Sequence, residues 1–288
     1  MEATFLTTVV LPASLFIIML GMGLSLVVDD FKRIALYPKA TFIGLTNQLI
    51  ILPLVAFGIV TLLNLAPRVA VGFMLLAACP GGTTSNLITF MSRGDTALSI
   101  TLTAISSFIS VISIPLIISY SLMHFIGDAQ PIELPFLQTI TQILAITVIP
   151  VSIGMAIRHF FPNFAKKMDK PTRIFSTVIF ILIVVSIIAT NTDVIREHFI
   201  EFAGISLLLN ILTMGIGFFS AKFFNLNLPQ RISIAIESGV QNGTLAIVIA
   251  TSILQQGDMS TPAAIYSLNM FLTGGFMMWY FGREKSGE

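Results

Sequence analysis

Nine apolar runs, separated by short polar breaks, dominate this sequence. Most are about as long as a helix needs to be to cross the hydrocarbon core of a bilayer, roughly 20 residues. Charged residues make up only 10% of the 288 positions, well below the ~25% of ordinary soluble domains. We therefore predict an all-α polytopic membrane protein in which residues 1–288 form one transmembrane domain. The nine runs are Phe5–Val28, Ala40–Leu63, Val69–Met91, Thr96–Ile126, Leu134–Ile157, Ile174–Thr190, Phe199–Phe223, Ile232–Leu254 and Pro262–Phe281.

The positions of Lys and Arg predict how the nine runs are oriented. If the N-terminus lies outside, the odd-numbered loops and the C-terminus face the cytoplasm, and 13 of the 15 Lys and Arg lie there, counting Lys222 at the cytoplasmic end of the seventh run. Only Arg68 and Arg196 lie in the even-numbered loops. This positive-inside bias predicts an inner-membrane protein with its N-terminus outside and its C-terminus in the cytoplasm. Because topology accounts for the basic residues, we expect no nucleic-acid partner, and no obligatory protein partner is evident.

Two of the runs are predicted to be interrupted helices. The third contains the stretch Cys79–Asn86 (CPGGTTSN), and the eighth contains Glu237–Thr244 (ESGVQNGT). Pro removes a backbone donor and Gly frees the chain to leave helical geometry. Within a bilayer such a break is tolerated only where protein or water satisfies the exposed backbone groups. Cys79 is the single cysteine, so no internal disulfide can form, and we expect it to serve in packing.

The two interrupted runs also share a polar lead-in, Asn64–Arg68 (NLAPR) before the third run and Asn227–Arg231 (NLPQR) before the eighth. In the predicted topology the third run begins outside and the eighth inside, so a repeat that relates them is inverted. We predict a first repeat at 1–127 and a second at 134–282, with four plus five helices. Interrupted helices in corresponding positions of two inverted halves indicate the substrate and ion site of a secondary transporter.

Glu237 is the one ionisable residue deep inside a run. A carboxylate near the bilayer centre costs free energy, so it should face the bundle interior and pair with a cation, a proton or strong donors. No Lys or Arg lies deep inside any run to serve as its partner, since Lys222 is the second-last residue of the seventh run. The alternative is a neutral, protonated Glu237 that makes a structural hydrogen bond.

Neutral oxygen ligands are available near the breaks. Ser85 and Asn86 follow the first break, and Ser99 and Thr103, four residues apart, share one face of the fourth run. Hydroxyl, amide, carbonyl and carboxylate oxygens suit a hard cation such as sodium. Taken alone, Ser99, Thr103 and the mid-run amide Gln48 are equally consistent with hydrogen bonds between helices.

The segments after the breaks, which we expect to start at Thr83 and Gln241, present unpaired N–H groups and the positive ends of half-helices. Such ends bind anions. The glycines beside them are not a nucleotide loop, because no Walker lysine follows and no strand precedes them.

Four stretches together resemble the bile acid:sodium symporter family, and the resemblance covers nearly the whole chain. It implies a bacterial-type member that begins at what matches the second helix of ten-helix relatives. The implied fold is a panel domain and a core domain, with two discontinuous helices crossing in the core beside two sodium sites. The four stretches are Gly21–Leu24, Cys79–Asn86, Arg93–Ser99 and Ile236–Asn242.

The resemblance also implies ligands. The first sodium site would comprise Ser85, Asn86, Ser99, Thr103 and Glu237. The second would comprise Gln48, Glu237, Ser238, Val240 and Gln241, with Ser238 and Val240 contributing backbone carbonyls. Several relatives carry a His-Asn pair in the last helix, where this chain has Met270-Phe271 preceded by Asn269. The expected substrate site is Thr83, Thr84, Asn242, Gly243, Asn269 and Met270.

These observations predict a sodium-coupled symporter that imports an organic anion, bile-acid-like or a small carboxylate, by alternating access with two sodium ions. One alternative is a proton-coupled carrier in which Glu237 carries the proton, and another is a passive channel. We do not expect an enzyme, because no nucleophile-base pair, metal cluster or cofactor motif falls at one depth.

Overall fold

The protein is described by a computed structural model that covers residues 6–127, 135–190 and 192–283. Nearly all of these residues are helical, in agreement with the predicted all-α class. The predicted run limits at Phe5 and Leu134, and the basic residue Lys285, lie outside the described residues.

Seven α-helices form the first part of the chain. A π-helical segment, Leu6–Val10, precedes the first of them, and two others, Asn47–Ile51 and Leu122–Ile126, follow α3 and α7 without a break in the helix. The helices are α1 (Leu11–Ser25), α2 (Val28–Leu36), α3 (Pro38–Thr46), α4 (Leu52–Leu62), α5 (Pro67–Ala78), α6 (Thr83–Met91) and α7 (Thr96–Ser121).

Seven more α-helices follow. The short helix α13 continues as a π-helical segment, Ile249–Ile253, and a 3₁₀ turn, Gly257–Ser260, leads into the last helix. The helices are α8 (Phe136–Ile146), α9 (Val148–Phe160), α10 (Pro162–Thr190), α11 (Thr192–Phe223), α12 (Leu228–Gly239), α13 (Gly243–Val248) and α14 (Thr261–Gly282).

Within the described ranges, six helical segments are long and apolar enough to cross a membrane. They coincide with the first, second, fourth, fifth, sixth and seventh apolar runs, and α14 coincides with the ninth. The chain is therefore a multi-pass helical membrane protein. The six segments are Thr8–Ser25, Pro38–Leu62, Thr96–Ile126, Phe136–Phe160, Pro162–Ala189 and Phe199–Phe223.

The third and eighth runs are each broken into two half-helices, as predicted. Helix α5 ends before Cys79, whose ψ of 152° is extended, and α12 ends before Val240, whose ψ is 93°. The two breaks lie against each other in an antiparallel bridge between Gly81 and Gln241. In this bridge the Gly82 amide donates to the Val240 carbonyl at 2.9 Å.

The prediction that the second half-helix begins at Gln241 is wrong by two residues. Helix α13 begins at Gly243, because Gln241 belongs to the bridge. Asn242 is the N-cap of α13, and its Oδ1 accepts from the Leu245 amide at 3.0 Å. At α6, by contrast, the N-cap is Gly82, which has no side chain to cap the helix.

Two helices begin well before the apolar runs that predicted them. Helix α10 begins at Pro162 rather than Ile174, and α11 begins at Thr192 rather than Phe199. The early part of α10 carries Lys166, Lys167 and other charged residues. Hydrophobicity marks only the stretch that can lie in lipid, whereas helical hydrogen bonding continues into charged sequence.

Close approach of α1 and α9 depends on two glycines. A Cβ atom added at Gly154 would meet the Leu20 carbonyl oxygen, and would lie 2.8 Å from the Gly23 Cα. A Cβ atom added at Gly23 would in turn meet the backbone of Val151. Because these contacts are with backbone rather than flexible side chains, the two helices cannot stay this close if either glycine gains a side chain.

We expect Gly154→Ala to lower the apparent Tm of the purified protein by several degrees, since overpacking typically costs about 1–3 kcal/mol. The matched control is Gly275→Ala in α14, where an added Cβ would meet nothing within 4 Å. There the better helix propensity of Ala should leave the Tm unchanged or higher. Equal effects of the two variants would contradict the proposed packing of α1 on α9.

Candidate functional site

Glu237 lies in the last turn of α12, two residues before the break, and is only 2% exposed. Three hydroxyl groups from α6 and α7 donate to its carboxylate. Ser85 and Ser99 donate to Oε1, the latter at 2.6 Å, and Thr103 donates to Oε2 at 2.9 Å. No basic side chain pairs with this carboxylate in the part of the chain that the structure describes.

The side chains around the Glu237 carboxylate offer more hydrogen-bond acceptor oxygens than hydroxyl protons. The Ser99 hydroxyl lies within hydrogen-bond distance of Glu237 Oε1 and of Asn86 Oδ1, the latter at 2.8 Å. The Thr103 hydroxyl faces both Glu237 Oε2 and the Ser99 carbonyl oxygen, at 3.0 Å. Each hydroxyl has one proton to donate, so some oxygen lone pairs are left without a full partner. A buried set of oxygens with this surplus attracts a small cation.

Gly81 allows the first break to approach the carboxylate. A Cβ atom at this position would meet Glu237 Oε2 and would lie 3.6 Å from Thr103 Oγ1. The glycine is therefore required by contact with the carboxylate, in addition to its role in interrupting the helix.

The second predicted ligand set forms a chain of amide hydrogen bonds. Gln48 Nε2 donates to the Cys79 carbonyl at 3.0 Å and to Gln241 Oε1 at 2.7 Å. Gln241 Nε2 donates to the carbonyls of Ser238 at 2.9 Å and Glu237 at 3.3 Å. The Val240 carbonyl accepts from the Gly82 amide. The five residues of this set therefore lie close together. In this conformation their amide and carbonyl groups are hydrogen-bonded to one another or to Cys79 and Gly82.

A cavity of about 510 Å³ lies beside the bridge. It is lined by residues of α1, α6, α7, α10 and α14 and by the second break with the start of α13. No charged side chain lines it within the described residues. Asn86 and Gln241, which belong to the two predicted ligand sets, also line this cavity.

Most of the predicted substrate-binding residues line the cavity. Thr83, Thr84, Asn242, Gly243 and Met270 all line it. Asn269 lies outside the lining, and its Nδ2 donates to the Ala203 carbonyl of α11 at 2.9 Å. Phe271, the neighbour of Met270, does line the cavity.

The structure also brings in residues that the sequence did not single out. Four of them are hydroxyl residues that line the cavity, Ser25 on α1 and Thr172, Ser176 and Thr177 on α10. They lie at or near the ends of apolar runs, and Thr172 falls within a helix only because α10 begins at Pro162.

The chain was compared with known proteins. The sequence profile of the Sodium Bile acid symporter family matches residues 12–198. The chain is 33% identical over 268 residues to an uncharacterized sodium-dependent transporter, YocS, of Bacillus subtilis, covering 93% of this chain and 81% of that protein.

Two relatives from eukaryotes are also similar. A probable chloroplastic sodium/metabolite cotransporter, BASS1, of Arabidopsis thaliana is 30% identical, over 94% of this chain and 66% of its own length. The ileal sodium/bile acid cotransporter of Oryctolagus cuniculus is 30% identical, over 90% of this chain and 75% of its own. These matches extend the similarity beyond residue 198, into the part of the chain that contains Glu237.

Proposed function

Because this chain belongs to the sodium bile acid symporter family, and is therefore a membrane transporter rather than an enzyme, we propose that it imports an organic anion together with two sodium ions. The observation that carries the proposal is the buried Glu237 carboxylate, which accepts from neutral hydroxyl groups of α6 and α7 and lies close to a cavity without charged lining among the described residues. Transport would proceed by alternating access across the cell membrane.

The first sodium ion would bind Ser85, Asn86, Ser99, Thr103 and Glu237. Their surplus of lone pairs over protons supports this assignment, because a cation lets each hydroxyl turn an oxygen lone pair toward it. A hard monovalent cation is also compatible with a single carboxylate among neutral oxygens. The counter-charge that a buried carboxylate needs would thus come from the transported ion.

The second sodium ion would bind Gln48, Gln241 and Glu237 with the carbonyls of Ser238 and Val240. Here the amide chain must open, since Gln48 and Gln241 now bond to each other at 2.7 Å. Two sodium ions and one carboxylate leave one net positive charge at the bridge. That charge matches a substrate with a single negative group.

The substrate anion would bind at the start of α6, where Thr83 and Thr84 line the cavity and the helix has no side-chain cap. Half-helix N–H groups and the positive dipole end stabilise a carboxylate there. The remaining described lining is apolar or carries neutral polar groups, which are hydroxyls such as those of Thr172 and Ser176 and the amides of Asn86, Gln241 and Asn242. We therefore propose a monoanion whose remainder is apolar or hydroxylated, which includes both small carboxylates and bile-acid-like molecules.

Ion and substrate would be coupled through shared residues. Asn86 accepts from Ser99 in the first ion set and lines the cavity, and Gln241 links the second set to the same cavity. An ion that orders these side chains completes the wall that the substrate contacts. By linkage, substrate must then raise the affinity for sodium by the same factor.

We further propose nine membrane crossings, with the N-terminus outside and the C-terminus in the cytoplasm. The inverted repeats would be 1–127 and 134–282. The panel domain would consist of α1, α8, α9 and α10, which pack on one another. The core domain would contain the helices around the bridge, and the cavity lies between the two groups.

Sodium should raise the Tm of the purified protein relative to potassium at equal ionic strength, because an ion that binds the folded state stabilises it by mass action. Glu237→Gln should abolish this sodium-specific rise. Thr103→Val should raise the sodium concentration needed for half of the rise about tenfold, the effect of losing one ligand or charge-assisted hydrogen bond.

Thr101→Val is the matched control, because Thr101 lies in the same helix, is 1% exposed, and donates to the Asp30 carbonyl instead. It should retain the sodium-specific rise. An equal response of the wild type to sodium and potassium would exclude sodium coupling, and a Tm that follows pH alone would support the proton-coupled alternative.

The uncharged cavity predicts discrimination between one and two carboxylates. In sodium buffer, monocarboxylates should raise the Tm further, whereas dicarboxylates with the same carbon skeleton should not, because a second carboxylate finds no cation. Butanoate and succinate, with larger monocarboxylates, form a suitable series, repeated in potassium. Equal stabilisation by the dicarboxylates would contradict the proposed charge of the substrate.

A further inference from the structure

Two buried polar side chains, Asn210 on α11 and Tyr266 on α14, form hydrogen bonds to the end of α12 at the second break. Asn210 Nδ2 donates to the Gly239 carbonyl at 2.8 Å, and the Tyr266 hydroxyl donates to the same oxygen at 2.8 Å. The two side chains also contact each other, with Nδ2 3.1 Å from the Tyr266 oxygen. Both residues are fully buried.

The Gly239 carbonyl needs such donors because the helix ends there. In an uninterrupted helix it would accept from the amide of Gly243, but that amide donates to the Gln241 carbonyl at 3.0 Å. One donor would satisfy the carbonyl, whereas two donors from two different helices also fix its direction. Asn210 Oδ1 is itself buried without a hydrogen-bond partner. An unpaired acceptor costs free energy, so the amide is better explained by what it positions than by net stability.

The first break has a comparable brace, with one difference. There Gln48 Nε2 donates to the Cys79 carbonyl, at the end of α5, as Asn210 does at the end of α12. Gln48 is also bonded to Gln241, within the proposed second sodium set. Asn210 is instead paired with Tyr266, outside both proposed sets. The brace at the first break thus shares a residue with the proposed ion set, whereas the brace at the second break shares none.

We infer that Asn210 and Tyr266 are positioning residues for the second sodium ion, an inference that rests on the proposed sodium coupling. Gly239 lies between Ser238 and Val240, whose carbonyls are proposed ligands. The Gly239 carbonyl lies in the peptide plane between the two planes that carry the Ser238 and Val240 carbonyls. Fixing this central plane restricts the rotation of both neighbouring planes. The ligand carbonyls are then held in place before the ion arrives, so less ordering opposes binding.

The test uses sodium alone as the probe, with the full-length protein and no transported substrate. The sodium concentration that gives half of the sodium-specific Tm rise is measured against potassium at constant ionic strength. Tyr266→Phe removes only the hydroxyl group. It should raise this concentration about three- to tenfold, the factor that corresponds to one ordinary hydrogen bond. Tyr280→Phe, at the half-exposed far end of α14, should leave it unchanged.

A purely structural role predicts a different result. It would lower the Tm of Tyr266→Phe equally in sodium and potassium, with the half-maximal sodium concentration unchanged, and this would overturn the inference. Asn210→Ala and the double variant provide a second measurement. If both residues act through the Gly239 carbonyl, the double variant should raise the half-maximal sodium concentration by a smaller factor than the product of the two single-variant factors. A factor equal to that product would show that the residues act independently and would contradict a shared target.

The outcomes also separate this inference from the proposed function. A wild-type protein whose Tm does not distinguish sodium from potassium would overturn sodium coupling itself. If the wild type responds to sodium but Tyr266→Phe has the same half-maximal sodium concentration, only the positioning role is overturned.

Discussion

The contact between the two helix breaks is the interaction on which the rest of this structure depends. A break in a membrane helix exposes amides and carbonyls that lipid cannot satisfy. Here each break satisfies part of the other, through Gly82 to Val240 and Asn242 to Pro80, both at 2.9 Å. The two halves of the chain are thereby joined where a helix of each is interrupted. The proposed ligand groups of both halves lie close together at this point.

The chemistry at this contact follows from an imbalance of charge and protons. Glu237 brings a negative charge into a site that otherwise consists of neutral oxygens. Hydroxyl donors lower the cost of burying it but do not neutralise it, which is why we propose that a cation completes the site. Asn86 and Gln241 also line the cavity, so an ion bound in the proposed sets would directly contact residues of the proposed substrate site. In this proposal, direct contact couples ion and substrate without a long pathway.

Much of this could be predicted from the sequence because its signals are local. The Pro-Gly-Gly break and the carboxylate deep in an apolar run are visible without any knowledge of packing, and the structure confirms that the helix is interrupted and that Glu237 is buried. The start of α10 at Pro162 was missed because hydropathy does not report helix extent. The pairing of Asn210 with Tyr266 and of Asn269 with the Ala203 carbonyl was missed because each joins residues distant in sequence. A lone mid-run amide, as in Gln48, was the only available signal for Asn210.

The two broken helices are also tied together at their ends. At one end Arg68, in the first turn of α5, donates to Gln256 Oε1 at 2.6 Å and lies 3.2 Å from Asp258 Oδ2. At the other end the contact is made just beyond α6, by Asp95, the N-cap of α7. Its amide donates to the Pro229 carbonyl at 3.1 Å, and Ser233 donates back to its carbonyl. With the central bridge, these contacts connect the two broken helices at three points along their length. A displacement of one half-helix would therefore strain contacts that hold the other, which favours a joint movement of the pair.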